Sequence, residues 1–256
     1  MPLSFETFFE IVYFLYMKQI FALFSLFFVL FISCEARVNG SLSADGSASL
    51  TLNMSLYSRT ASLIQNLFAA AGQGGQAQQA LQVLDGQAIS RSMSQAPGIG
   101  SVTLRNTSQT AVSGQMQISK ISDFLSAAGE SGFVTFERRG AAQGGRCRIN
   151  INRGNGGKIL ELLSPQLTDY LNALMAPVVT EEEISKTEYL ELVTSFYNKS
   201  IADEITRSII SIVIDFPGTV TSVYGGTFSG RKVTFNIPLL DLLALETPLY
   251  YEVVWN

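Results

Sequence analysis

Residues 38–56 read VNGSLSADGSASLTLNMSL, and their period decides the fold class. Ala48, Leu50, Leu52, Met54 and Leu56 alternate with Ser47, Ser49, Thr51, Asn53 and Ser55. Successive side chains on a strand point to opposite faces, so this stretch is a strand with one buried face and one wet face. Val38 and Leu42 carry an alternation upstream, and Asp45-Gly46 between the two runs reads as a hairpin turn. One-sided alternation favours an antiparallel sheet, because parallel strands are covered on both faces.

Working outward, similar stretches predict strands at residues 101–105, 111–118, 133–138, 146–152, 208–216, 219–224, 231–237 and 249–255. Helical spacing lies between them. Ser58 is placed to cap a run in which Leu63, Ile64, Leu67, Phe68 and Ala71 share a face, and Gly72 ends it. GQGGQAQQ at 72–79 is a flexible joint, followed by a second helical stretch to about Ser94. Ser119 caps a short helix carrying Ile121, Phe124 and Leu125. Further helices are expected at 158–175, bent at Pro165, and at 181–197. No regular strand–helix–strand period emerges, so the expected class is α+β: a largely antiparallel sheet covered by amphipathic helices. Residues 176–180 offer a boundary but lack the composition of a long linker.

The N-terminal segment has a different character. Residues 20–33 are apolar except for Ser25 and Ser33, and Lys18 precedes them. As a helix they measure about 21 Å, short of a hydrocarbon core of about 30 Å. A basic start, a short apolar run and a small residue before Cys34 have the form of a secretory signal. Met17-Lys18 resembles a natural initiator, which would make residues 1–16 an upstream start. Phe31-Ile32-Ser33-Cys34 resembles a bacterial lipobox, with Phe31 where Leu is usual, as in the relaxed boxes of spirochaete lipoproteins. That resemblance implies a signal peptide over residues 1–33 and a lipid on Cys34. The expected domain is then residues 34–256, anchored to a cell membrane or outer membrane outside the cytoplasm. An uncleaved anchor over residues 11–33 would bury Lys18, at about 2.5–3.5 kcal/mol. An ordinary cleaved signal is the third reading.

Composition removes several function classes. The chain has 256 residues, is 47% hydrophobic and 15% charged, and carries a net charge of −4. That balance does not favour a nucleic-acid partner, which calls for a basic surplus. It contains no histidine, which removes the commonest general base and every His-containing zinc site. Two cysteines, Cys34 and Cys147, are too few for a disulfide framework or a Cys cage. No cofactor or metal is expected, and no enzymatic activity.

RRGAAQGGRCRININRGNGGK at 138–158 concentrates Arg138, Arg139, Arg146, Arg148, Arg153 and Lys158 with no acidic residue. Guanidinium groups suit phosphate, so one reading is an anion or lipid-headgroup contact. The other is a solvated polar face on a glycine-rich hairpin. Alternation sets Arg146, Arg148, Asn150 and Asn152 against Cys147, Ile149 and Ile151, which makes Cys147 an inward structural thiol. RGNGGK lacks the spacing of a phosphate loop, and GTFSG has its serine one place late for a nucleophile elbow. Glu181, Glu182 and Glu183 read as the acidic first turn of a helix, with Thr180 and Glu183 at capping-box spacing, rather than as metal ligands. Sequons at Asn53, Asn106 and Asn198 would matter only in a eukaryotic secreted protein.

The closing stretch, 212–255, puts Pro217-Gly218 after one strand, Gly225-Gly226 and Gly230 at the next turns, and Leu249, Tyr251, Val253 and Trp255 in alternation. With the opening VNGSLSADGSASLTL, it resembles the LppM-type domain of bacterial lipoproteins. That resemblance implies a helix-covered sheet over about residues 38–255 and a link with lipid binding, without assigning a binding residue. Two functions follow as expectations: a non-enzymatic structural or interaction role in the cell envelope, or an anchored carrier of lipid or another apolar ligand.

Overall fold

The opening alternation folds into a hairpin. In the computed structural model of the chain, β1 (Glu35–Leu42) and β2 (Ala48–Ser55) pair antiparallel, with Glu35 opposite Ser55 and Leu42 opposite Ala48. Ser43 N–H donates to the Ser47 carbonyl at 2.8 Å, and Gly46 takes φ 88°, a left-handed conformation that suits the residue without a Cβ. Asp45 accepts hydrogen bonds from the Ser47 amide and hydroxyl, closing the turn. The structure describes residues 35–70, 84–95, 97–123, 134–138, 144–155 and 183–256. Cys34, Arg139 and Lys158 lie outside these residues, as do the joint at 72–79 and the expected helix at 158–175.

Nine more strands follow among the described residues: β3 (Ile99–Ser108), β4 (Ala111–Ile118), β5 (Val134–Arg138), β6 (Gly145–Ile151), β7 (Ile209–Asp215), β8 (Val220–Tyr224), β9 (Thr227–Ser229), β10 (Lys232–Pro238) and β11 (Leu249–Trp255). They form two sheets rather than one. The larger has the order β3-β4-β2-β1-β7-β10-β9, and the smaller β5-β6-β11-β8. Among the described strands only β1 with β7 is parallel, so the expected antiparallel character holds for the rest. The chain passes between sheets at Gly225, where φ 77° turns β8 into β9.

Aromatic side chains join the sheets. Trp255 of β11, 2% exposed, lies 4.9 Å from Phe216 just after β7 and 5.7 Å from Phe136 of β5, centroid to centroid. Phe235 of β10 meets Tyr251 of β11 edge-on at 5.3 Å. The apolar face of the larger sheet, including Ala36, Val38, Leu52, Met54, Ile210 and Val233, belongs to the same buried cluster.

The longer helices among the described residues are α1 (Ser58–Ala70), α2 (Gly86–Met93), α3 (Lys186–Phe196), α4 (Lys199–Arg207) and α5 (Leu239–Ala244). α2 packs along β3, while α4 touches α1, α3 and α5. Two sequence expectations change here. Ser58 is the first residue of α1 rather than its cap. The amides of Arg59 and Thr60 donate instead to Glu204 of α4, at 3.3 and 2.9 Å, and the Thr60 hydroxyl adds a third bond at 2.7 Å. Glu204 is 3% exposed, so the open amides of one helix hold the buried carboxylate of another. The 181–197 helix begins later than expected. Its capping box is Ser185 with Glu188, and Glu183 lies before it. That start brings Tyr189 and Val193, four residues apart, into the core.

Candidate functional site

The fold separates the arginines that the sequence groups together. On β6, Arg146 and Arg148 share the outer face of the smaller sheet, as the alternation predicts, while Cys147 and Ile149 pack against the core. β11 lies on one side, with Glu252 opposite Arg148. β5 lies on the other, with Glu137 opposite Arg146. Glu252 accepts from Arg148 Nε at 2.5 Å and from the Tyr250 hydroxyl at 2.7 Å. Arg146 Nε stands 3.8 Å from Glu252, and Arg148 Nη1 stands 3.7 Å from Glu137. Two cations thus meet two carboxylates, and the face has no cationic surplus for an anion.

The electrostatics follow this geometry. The hydrogen bond from Arg148, then that from Tyr250, holds the Glu252 carboxyl below its ordinary range. The same bond to Glu252 raises Arg148 and, from the other side, raises the Tyr250 phenol. Tyr224 of β8 meets Tyr250 edge-on at 5.3 Å, and both rings are exposed. Sequence reasoning did not single out Glu137, Glu252, Tyr224 or Tyr250. The alternation of residues 249–255 carried a signal for two of them, since it turns Tyr250 and Glu252 outward wherever Tyr251 and Val253 are buried.

The other arginines go elsewhere. Arg138 follows Glu137 on β5 and so projects to the opposite side, where its guanidinium donates to the Ala44 carbonyl in the β1–β2 turn. Arg153 lies beyond β6, donating to the Ile184 carbonyl at 3.1 Å and standing 3.9 Å from Glu183. Arg138, Arg146, Arg148 and Arg153 therefore belong to three separate surroundings rather than one basic surface. Burial pushes the Cys147 thiol up to about 12, so the thiolate needed for nucleophilic chemistry is scarce near neutral pH.

A second feature lies at one end of the larger sheet. An open groove of about 530 Å³ runs over the first residues of β1, lined by Glu35, Arg37, Asn53, Ser55, Thr107 and Ser113, with Met54 and Val112 behind them. Ser113 Oγ donates to Asn53 Oδ1 at 2.7 Å, and Arg37 pairs with Glu35. Hydroxyls, amides and one ion pair suit a polar, hydrogen-bonding group better than an acyl chain. Among the described residues no group of three His, Cys, Asp or Glu side chains is placed to hold a metal ion. No described helix is long and apolar enough to cross a membrane.

No protein-family model matches the chain, and no curated protein matches it. Among solved structures, it is similar to the NMR structure of the folded domain of the LppM protein of Mycobacterium tuberculosis. The two share 10% sequence identity, the alignment covers 87% of this chain and 88% of that one, and the TM-score is 0.39.

Proposed function

We propose that this protein is an extracytoplasmic lipoprotein, held to the membrane through a lipid on Cys34, with a non-enzymatic binding or structural role in the cell envelope. One observation carries the reading: the short apolar run of residues 20–33 ends at a small residue and a cysteine. The absence of histidine and the high pKa of Cys147 support the non-enzymatic part. The alternative, a carrier of an apolar ligand, calls for an enclosed apolar chamber. The groove over β1 is open, with walls of mixed polar and apolar character, while Trp255, Leu52, Met93 and Ile210 are fully buried in the core. Neither fact favours a carrier.

Feeding cells an alkyne fatty acid tests the anchor. Wild type should take up the label and Cys34→Ser should not. Equal labelling of both would sink the proposal.

A further inference from the structure

β1 begins at Glu35, the residue after Cys34, and it is a central strand. Glu35 is already paired with Ser55 on one side and Ile209 on the other. Adjacent Cα atoms are about 3.8 Å apart. A lipid on Cys34 would therefore be joined to the sheet with no linker. One edge of the larger sheet must then meet the membrane. The pairing registers name that edge: Ser108, Ala111, Ser55, Glu35, Ile209 and Pro238 stand side by side across it.

The charge of this edge is unlike that of the chain, which is acidic overall. In its last rows, and where α1 begins and α4 ends beside it, lie Arg37, Arg105, Arg59 and Arg207, all exposed. The exposed carboxylate in these segments is Glu35, which pairs with Arg37. Arg207 stacks over Tyr57 at 4.7 Å and stands 3.7 Å from the buried Glu204. Pro238 leads into α5, whose Asp241 is held by Lys186 at 2.7 Å. The guanidinium groups of Arg59 and Arg105 have no carboxylate partner among the described residues. Ile209, 47% exposed, adds an apolar side chain in the same row. The opposite end carries Lys120, Arg138, Arg231 and Lys232 against Asp45, Asp123 and Asp215, a smaller surplus in which Asp123 and Asp215 face cations directly.

From the absent linker and this charge we infer that the Glu35 edge lies on the lipid headgroup layer, with Arg37, Arg59, Arg105 and Arg207 against phosphates, so that the larger sheet stands on end at the membrane. The inference rests on the lipidation of Cys34 proposed above. It assigns membrane contact to this edge rather than to Arg146 and Arg148, whose charges are cancelled. The open groove over β1 then lies beside the headgroups.

The test uses the full chain, purified from cells with its processing intact and reconstituted into vesicles of phosphatidylcholine with phosphatidylglycerol. Gln109→Cys, in the β3–β4 turn, and Ser43→Cys, in the β1–β2 turn, are labelled separately with a fluorophore, with unmodified protein as the background for Cys147. These sites lie at opposite ends of strands of eight residues, about 26 Å apart along the strand direction. Lipids spin-labelled at the headgroup should quench the Gln109 probe several-fold more than the Ser43 probe. Arg59→Gln combined with Arg105→Gln should reduce the extra quenching seen on anionic over neutral vesicles. Mass spectrometry of the same preparation reads Cys34. A lipid on Cys34 with equal quenching of both probes overturns the orientation alone, and bare Cys34 overturns both proposals. Unchanged quenching in the double variant overturns the role of the arginines.

Discussion

The two sheets turn different chemistry to the solvent. Away from Arg37 and Arg105 near its Glu35 edge, the larger one shows Thr51, Asn53, Ser113, Gln115 and Gln117, neutral groups that satisfy one another locally, as in the 2.8 Å bond from Gln117 to Ser49. The smaller one shows Arg146 and Arg148 locked to Glu137 and Glu252, with Tyr224 and Tyr250 beside them. Both faces grow from the same period of two, and both are wet. The difference teaches that a run of like charges in sequence need not make a charged surface. Strand pairing brought carboxylates from β5 and β11 against the β6 arginines, and the surplus disappeared. The surviving basic edge is scattered in sequence, from Arg37 to Arg207, and no single stretch announces it.

The largest expected effect tests whether the sheets are one unit at all. Trp255→Ala removes the ring that touches Phe136 of the smaller sheet and Phe216 beside the larger. It should cost about 3–5 kcal/mol, as large buried aromatics do. Chemical denaturation should still show one transition. Two separated transitions would mean the sheets are independent bodies.

Glu252→Gln should separate the faces by their sensitivity to acid and salt. Loss of this ion pair should cost about 1 kcal/mol, the upper end for pairs open to solvent. The Glu252 pKa is depressed in the folded protein, chiefly by its bond from Arg148. Its contribution is therefore present above the ordinary glutamate range and is lost as pH falls through the depressed value. Wild type should lose its advantage over the variant once the pH falls below the ordinary glutamate range and through that depressed value. The difference should also shrink in high salt. A gap between the two that is constant from neutral to strongly acid pH would contradict this.

Two smaller effects complete the comparison. Cys147 should resist a water-soluble thiol reagent at neutral pH until the protein is unfolded, because burial pushes its thiol up to about 12. Rapid stoichiometric modification of folded protein would place it on the outer side. Asn53→Ala, on the neutral face, removes the partner of Ser113 and should change stability by less than about 0.5 kcal/mol. A loss larger than that of Glu252→Gln would reverse the ranking of the two faces.

Much of the strand content was legible, and the reason is visible in particular elements. β4 and β11 fall on the residues that alternation gave, 111–118 and 249–255, because each buries one face. β9 was missed, being three residues long and wholly exposed. α4 was missed because its buried set includes Glu204, a residue that reads as solvent-facing until its partners on α1 are known. α5 was missed because six residues of LLDLLA show no polar stripe from which a period can be judged. The basic stretch was legible on β6, down to the inward Cys147. Its neutralisation was not, since Glu252 lies 104 residues from Arg148. Pairing across such distances is set by the topology, and a local pattern carries no trace of it.

The parallel pairing of β1 with β7 has a consequence for the order in which this chain can fold. β1 meets β2 as soon as the hairpin exists, but its other edge stays open until residues near 209–215 have been made. The carboxylate that closes the start of α1 also comes from this late part of the chain. A hairpin alone is marginally stable in water, and contacts between distant segments slow the search for the native state. The early half of the chain therefore lacks its stabilising partners for most of its synthesis. That delay favours a folding step that begins only when almost the whole polypeptide is present.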